Sequence, residues 1–432
     1  MDYGLAAALC VLCMISLLVL GIPVVFCLGF SSMLFGVLVF GPVALYKMGL
    51  ATFSLLYNYA WSPLPLFVLM GCIISATRIG EDLYRAARNW LSFLPGSLIS
   101  ASIIGEALVA SMVGASGAAI VTVGKAAERE FERYGYDKKF AMGGLMCGGV
   151  LGPLIPPSTP MIIYGVVANV SVGHLLIAGI VPGALLALVL AAVPLLICWK
   201  RPELGPPAGR VSWKVRVYSL ARVWPALAVL VTVVGSIFLG IATPTEAAGI
   251  GCVAILVLAI IFYNLKFRCL WEAMIEAAKV NAMMLVVIIG ASFFSYVLTS
   301  KGVGDFIYDI VTQLRIHPLG VVSIIILIYL ILGCLFDAIT ITMLTVPLFA
   351  PLIVKLGYDL IWFGVLYVVT TEIGLITPPM GVNLFFMRNV FNIDTQALLK
   401  GAVPYLMVLL AFLGVLLLVP QLSLWLPSMM GK

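Results

Sequence analysis

Two consecutive prolines, Pro156 and Pro157, stand in the middle of an apolar run long enough to cross a bilayer, Gly149–Gly165 (GVLGPLIPPSTPMIIYG). Proline has no N–H to donate and its ring clashes with the carbonyl four residues back, so a helix entering this run must stop there. Backbone released at membrane depth is tolerated only where protein buries it or it lines a cavity, so the break reads as a binding site. Ile373–Phe385 (IGLITPPMGVNLF) repeats the pattern: Gly-x-x-x-Pro-Pro occurs at Gly152 and again at Gly374. Interrupted segments at corresponding places in two halves are the strongest sequence pointer to a transporter's substrate and ion site.

The chain around these breaks belongs in a lipid bilayer. Of 432 residues 63% are hydrophobic and 10% charged, more apolar surface than a soluble protein can bury. One crossing takes about 20 apolar residues, which leaves room for about ten crossings and little for a soluble domain. The start, MDYGLAAAL, has no basic n-region and no small-residue cleavage site, so it reads as a first helix and not a removable signal. Nine cysteines scattered through apolar segments suit buried thiols, and the Cys10–Cys13 spacing has no second pair or histidine beside it to make a metal or redox site.

Apolar helices are expected roughly over 4–20, 22–41, 62–78, 139–155 continuing to 169, 174–199, 222–241, 245–264, 274–299, 360–376 continuing to 390, and 402–420. Two further apolar stretches are interrupted near their centres, 97–124 by Gly114-Ala115-Ser116-Gly117 and 318–354 by Asp337-Ala338-Ile339-Thr340. Glycine and backbone-bonding polar residues mark a turn, so each reads as a re-entrant hairpin that enters and leaves on one face. With both taken as hairpins, the loops holding Arg85, Arg88, Lys125, Arg129, Lys138, Lys139, Lys200, Arg201, Arg210, Lys214 and Arg388 fall on one side and gather most of the 24 Lys and Arg. That side is cytoplasmic by the positive-inside rule. The first hairpin then opens inward, the second outward, and both chain ends lie outside.

This division predicts an all-α polytopic fold built from inverted repeats. Residues 1–61 form N-terminal scaffold helices, and 62–199 form the first repeat, with a hairpin at about 97–124 and a broken helix at about 139–169. Residues 200–222 form a basic cytoplasmic linker, an orientation signal and not a nucleic-acid patch. Residues 223–432 form the second repeat, with a hairpin at about 318–354 and a broken helix at about 360–390. Glu81–Phe93 puts charge on one side and Leu, Trp and Phe on the other, the pattern of a helix lying along the membrane surface. Asp305–Arg315 occupies the corresponding place in the second half.

The chemistry at the breaks suits small ions. Carbonyls at half-helix C-termini present oxygens to a cation, and half-helix N-termini attract anions. Ser158, Thr159, Thr377 and Asn383 add oxygens without a buried charge, and the tips offer Ser111, Gly114, Ser116 and Gly117 in one half and Asp337, Thr340 and Thr342 in the other. Ser116 and Thr340 also suit plain helix caps. Asp337, Glu372 and Glu106 fall in apolar stretches, where ionisable groups are costly and functional by default. Thr243-Pro244-Thr245-Glu246 has capping-box spacing and reads as a helix start. Gly144, Gly148 and Gly152 recur every fourth residue, a pattern for close helix packing. Neither of the two histidines has a metalloprotease or carboxylate context, and there is no phosphate-binding loop or nucleophile elbow. The chain is not expected to be an enzyme, and transport by it must be driven by an ion gradient.

GASGAAIV at 114–121, GPLIPPST at 152–159, ATPTEAAG at 242–249 and the IGLITPPMGVNLF segment together resemble the large membrane subunit of the tripartite ATP-independent periplasmic (TRAP) transporters, over essentially the whole chain. The resemblance implies an elevator fold of the ion-transporter superfamily, in which hairpins and broken helices move on a scaffold. It implies Na⁺ as coupling ion, and as partners a small four-helix membrane subunit and a secreted periplasmic binding protein that delivers a carboxylate-bearing solute. It places the chain in a bacterial inner membrane. Carried over, one Na⁺ site falls at Ser111, Gly114 and Ser116 with Gly152, Ile155, Pro156 and Ser158, and a second at Asp337–Thr340 with Thr377, Pro378 and Met380. Substrate falls between them, near Ser116, Ser158, Asp337 and Asn383. Sialic-acid members use an arginine in the mobile domain; none lies within a membrane stretch here, and Lys301 is the residue that would stand in. The competing readings are a stand-alone Na⁺/carboxylate symporter of the same superfamily, which would transport without partners, and an intramembrane enzyme or assembly scaffold, which would need a catalytic dyad.

Overall fold

The computed structural model describes residues 3–299, 308–309, 313, 317–379 and 381–430. Lys301, most of Asp305–Arg315 and Met380 lie outside them. Every regular element among the described residues is helical.

Both interrupted stretches are hairpins. Ser97–Val113 stops at Gly114, whose φ of +71° suits a residue without Cβ, and Ser116–Arg133 starts two residues later, packed on the first arm. Pro318–Gly333 and Ala338–Lys355 form the second hairpin, with Asp337 as the N-cap of its second arm. Both Pro-Pro helices are broken where the prolines require. Lys138–Gly148 tightens into a 3₁₀ turn at Gly149–Leu151, and helix resumes only at Thr159–Val167. Leu360–Leu375 stops before Pro378, and helix resumes at Val382–Phe391. Both Pro-Pro bonds are cis.

Each half completes the other. The second arm of the second hairpin packs on Thr159–Val167, beyond the first break, while the second arm of the first hairpin packs on Val382–Phe391, beyond the second. Tyr164, Tyr329, Phe363 and Tyr367 join the first of these contacts through ring pairs 5.0–6.4 Å apart. Small residues let the backbones touch: a Cβ on Gly143 would sit 2.3 Å from the Gly401 carbonyl carbon, and one on Gly374 2.6 Å from the Gly333 Cα. Thus Gly144 and Gly148 serve helix packing, whereas Gly152 lies inside the break.

Several boundaries differ from expectation. Val43–Leu56 is a helix that the sequence reading passed over, bent 58° from the Tyr59–Ser75 segment that follows. The linker is shorter than 200–222, because helix Trp213–Phe238 begins within it. Its first turns alternate basic and apolar residues (WKVRVYSLAR), which suits a helix entering the bilayer at the cytoplasmic surface. The segment expected at 174–199 is one short and one long helix, Val172–Ala178 and Ile180–Lys200. Thr243 and Glu246 form the capping box in both directions, at 2.8 and 3.3 Å.

The amphipathic stretch is helix Ile79–Leu91, and it does more than lie on a surface. Arg88 Nε meets Glu130 on the first hairpin at 2.6 Å, and Asp82, nearly fully buried, meets Arg222 of the Trp213–Phe238 helix at 2.9 Å. It therefore links the hairpin to a peripheral helix.

Candidate functional site

The first hairpin tip sits directly on the first break. The Thr159 N–H donates to the Gly114 carbonyl at 3.4 Å, and a Cβ on Gly114 would lie 2.6 Å from the Pro157 carbonyl oxygen. A Cβ on Gly152 would lie 3.1 Å from the Ser116 nitrogen. Glycine is thus required at Gly114, and at Gly152 a Cβ would press tightly on the backbone of the tip. The tip and break residues predicted together from sequence, Gly114 and Ser116 with Gly152 and Pro156–Ser158, are brought together; Ser111 lies on the last turn before the tip. Ile155 turns its side chain onto Gly183 of the helix behind the break, where a Cβ would meet it at 2.7 Å.

The hydroxyls here present acceptors. Ser111 Oγ donates to the Leu108 carbonyl at 2.7 Å, and Ser158 Oγ donates to the Pro153 carbonyl while accepting from the Met161 N–H at 3.3 Å. With their protons committed to the backbone, hydroxyl lone pairs and the carbonyls of a broken helix form an oxygen-only, uncharged donor set. Hard monovalent and divalent cations favour such oxygens over nitrogen or sulfur. Among the described residues no group of three or more His, Cys, Asp and Glu could hold a metal.

The second tip is organised differently. Asp337 Oδ2 accepts from the Ile339 and Thr340 N–H groups at 3.0 and 3.2 Å, and Thr340 Oγ1 donates to Oδ1 at 2.5 Å. The carboxylate that the sequence offers as the best intramembrane acid is therefore the cap of its own helix, and Thr340, a candidate cap, is its partner. The described hydrogen bonds tie this tip to Tyr367, whose hydroxyl donates to the Ala338 carbonyl at 2.5 Å and pairs with Thr342 at 2.6 Å. Thr377 Oγ1 donates back to the Ile373 carbonyl at 2.6 Å. The second break is also more open than the first: Pro378 and Pro379 are exposed, whereas Pro156 and Pro157 are buried.

The two halves meet at Ser116 and Asn383. Ser116 Oγ and the Asn383 side chain lie 3.1 and 3.3 Å apart by their two contacts, nearly fully buried and far apart in sequence. Two residues proposed for substrate are thus joined. Sequence reasoning left a third unplaced: Glu372, 2% exposed, lies against this pair, and its Oε2 has no partner among the described residues. Tyr367 stands within electrostatic range of both Glu372 and Asp337. Nothing in a lone tyrosine on an apolar helix signals that place, whereas Glu372 carried a signal as an acid at membrane depth.

A cavity of about 750 Å³ separates the second arm of the first hairpin from helices Pro63–Ser75 and Phe267–Thr299. Lys125 and Arg129 line one wall, and Glu272 and Glu276 the other.

Comparison with known proteins identifies the family and the fold. Residues 11–422 match the family model for the tripartite ATP-independent periplasmic transporter, DctM component. The C4-dicarboxylate TRAP transporter large permease protein of Pseudomonas aeruginosa is 33% identical, over 94% of each chain. The sialic acid TRAP transporter large permease protein of Vibrio cholerae is 30% identical, over 86% of this chain and 87% of that one. The solved structure of the Alcanivorax borkumensis YdaH transporter, at 17% identity, covers 88% of this chain with a TM-score of 0.60, a likeness of fold. The chain is a membrane transport protein and not an enzyme, and it belongs to the DctM family, the large permeases of the tripartite ATP-independent periplasmic transporters.

Proposed function

We propose that this chain is the translocating subunit of a Na⁺-coupled importer of an organic acid, a C4-dicarboxylate or similar carboxylate, in a bacterial inner membrane. The observation that carries the reading is the first hairpin tip seated on the first break, with Gly114 and Gly152 bringing two stretches of backbone together around oxygens whose protons point away. Ser111, Gly114, Ser116, Gly152, Ile155, Pro156 and Ser158 surround one Na⁺. Thr340, Thr377, Pro378 and Met380 are the donors of the second, which forms once the second tip closes on its break. The carboxylate binds between them, at Ser116, Ser158, Asp337 and Asn383. Relatives named for C4-dicarboxylate, sialic acid, isethionate and diketogulonate transport all handle anionic solutes, in line with a site that pairs an anion with cations.

Hairpins and broken helices interlock across the two halves and move as one body, an elevator, against the peripheral helices. The cavity beside Lys125 and Arg129 is the cytoplasmic exit, since its basic wall lies on the positive-inside face. A small four-helix subunit completes the scaffold, and a periplasmic binding protein delivers the solute. The test is uptake in proteoliposomes holding the chain with both partners. Accumulation should follow an imposed Na⁺ gradient; accumulation that persists without one would overturn Na⁺ coupling. Uptake by the bare chain would identify a stand-alone symporter instead.

A further inference from the structure

Glu106 lies in the middle of the first hairpin's first arm and is fully buried, yet both its carboxyl oxygens lack a partner among the described residues. Its Oε2 rests on the backbone at Gly148, where a Cβ would be only 2.0 Å away. The glycine therefore makes the space the carboxyl occupies. The titratable groups beside it are Cys147, next to Gly148 on the first half of the broken helix, and Tyr84 of the Ile79–Leu91 helix, against the adjacent Gly105. On the Ile79–Leu91 helix packed against this arm, Arg88 pairs with Glu130 and Asp82 with Arg222, so neither partners Glu106.

An ionised carboxylate buried without a partner is too costly to persist, and such a group takes up a proton or a cation instead. Its position says which ion it answers to. Glu106 is five residues before Ser111, and Gly148 four before Gly152, so along both helices it lies roughly 6–8 Å beneath the proposed Na⁺ site. We propose that Glu106 is a proton-binding site linked to the Na⁺ site at the first break. The inference rests on the Na⁺ reading given above. With that site empty, Glu106 holds a proton; when Na⁺ enters, the O–H bond breaks, the proton leaves to water on the open side, and the carboxylate stabilises the cation. Linkage is reciprocal, so acid weakens Na⁺ binding by as much as Na⁺ weakens proton binding. At this separation the effect on apparent Na⁺ affinity is of the order of tenfold.

The test is Na⁺-minus-K⁺ infrared difference spectroscopy on the complete membrane complex, with proton release followed by a pH-indicating dye. The wild type should lose a protonated-carboxyl carbonyl band and release protons on Na⁺ addition, and Glu106→Gln should do neither. The half-saturating Na⁺ concentration for uptake should rise toward acid in the wild type and stay at the acid value at every pH in Glu106→Gln. Should that variant not assemble, the wild-type spectrum decides: no carboxyl band lost on Na⁺ addition overturns the proposal. An identical band loss in Glu106→Gln overturns it as well. Uptake indifferent to Na⁺ in the wild type is a different failure, that of the Na⁺ reading.

Discussion

Gly114 holds a left-handed conformation and lies under the Pro157 carbonyl, so it faces two separate constraints. Gly114→Ala adds a Cβ to a backbone that L residues adopt at a cost of about 1–2 kcal/mol, and it drives that Cβ against the Pro157 carbonyl, between the proposed Na⁺ ligands Pro156 and Ser158. The half-saturating Na⁺ concentration should rise several-fold while the protein still folds, as transport assays alongside thermal melting would reveal. The prolines test the same place from the other side. Replacing Pro156 and Pro157 together with alanine removes the reason for the break and lets the helix close over its carbonyls; Na⁺-driven uptake should vanish, and unaltered Na⁺ dependence would refute the site. Asn383→Ala leaves Ser116 without its amide partner and removes an amide from beside Glu372. Removing a buried partner of this kind costs about 1–3 kcal/mol, and it should appear as a raised KM for solute. Neither this pairing nor the place of Glu372 was legible in the sequence, because Ser116 and Asn383 come from opposite halves and meet only in the folded chain.

At the scale of elements, the breaks, the hairpins and the capping box at Thr243 were legible because their causes are local. Proline lacks a donor, glycine admits a positive φ, and a cap acts three residues away. The second tip shows where local reasoning stops. Asp337 reads as an acid free to bind a ligand until its two N–H donors and Thr340 come into view. The contact of the second hairpin with its broken helix is backbone on backbone, at Gly333 and Gly374. Gly374→Ala should destabilise the chain by about 1–3 kcal/mol through overpacking, measurable as a lower midpoint of thermal unfolding in detergent. The surface helix Ile79–Leu91 provides a contrast. Its Arg88–Glu130 pair is partly exposed, so its loss should cost under about 1 kcal/mol. Because that pair fastens the helix to the hairpin, Arg88→Glu should slow uptake more than it lowers stability, and adding Glu130→Arg should restore the rate.

For the whole molecule the relevant question is how charge crosses with the solute. Counting Na⁺ and solute alone, a dicarboxylate accompanied by two Na⁺ moves no net charge; with one proton carried outward at Glu106 in each cycle, one negative charge moves inward, and an inside-negative potential should slow uptake. Each further cation would add about 2.3 kcal/mol per 100 mV. Uptake measured under a K⁺-diffusion potential, at a fixed Na⁺ gradient, distinguishes the cases: stimulation by an inside-negative potential requires further cations or a solute of lower charge.

What the sequence determined by itself was the membrane setting, the two broken helices, the two hairpins and the family. Hydropathy, proline and glycine act within a few residues, and the family is carried by short contiguous motifs. Only the tertiary structure decided how closely the first tip seats on the first break, that the halves interlock at Ser116 and Asn383, that Asp337 is bound up in a cap, and that Glu106 and Glu372 are buried with unpartnered oxygens. Those facts depend on backbone meeting backbone between segments far apart in the chain, and on whether a buried polar atom finds a partner there.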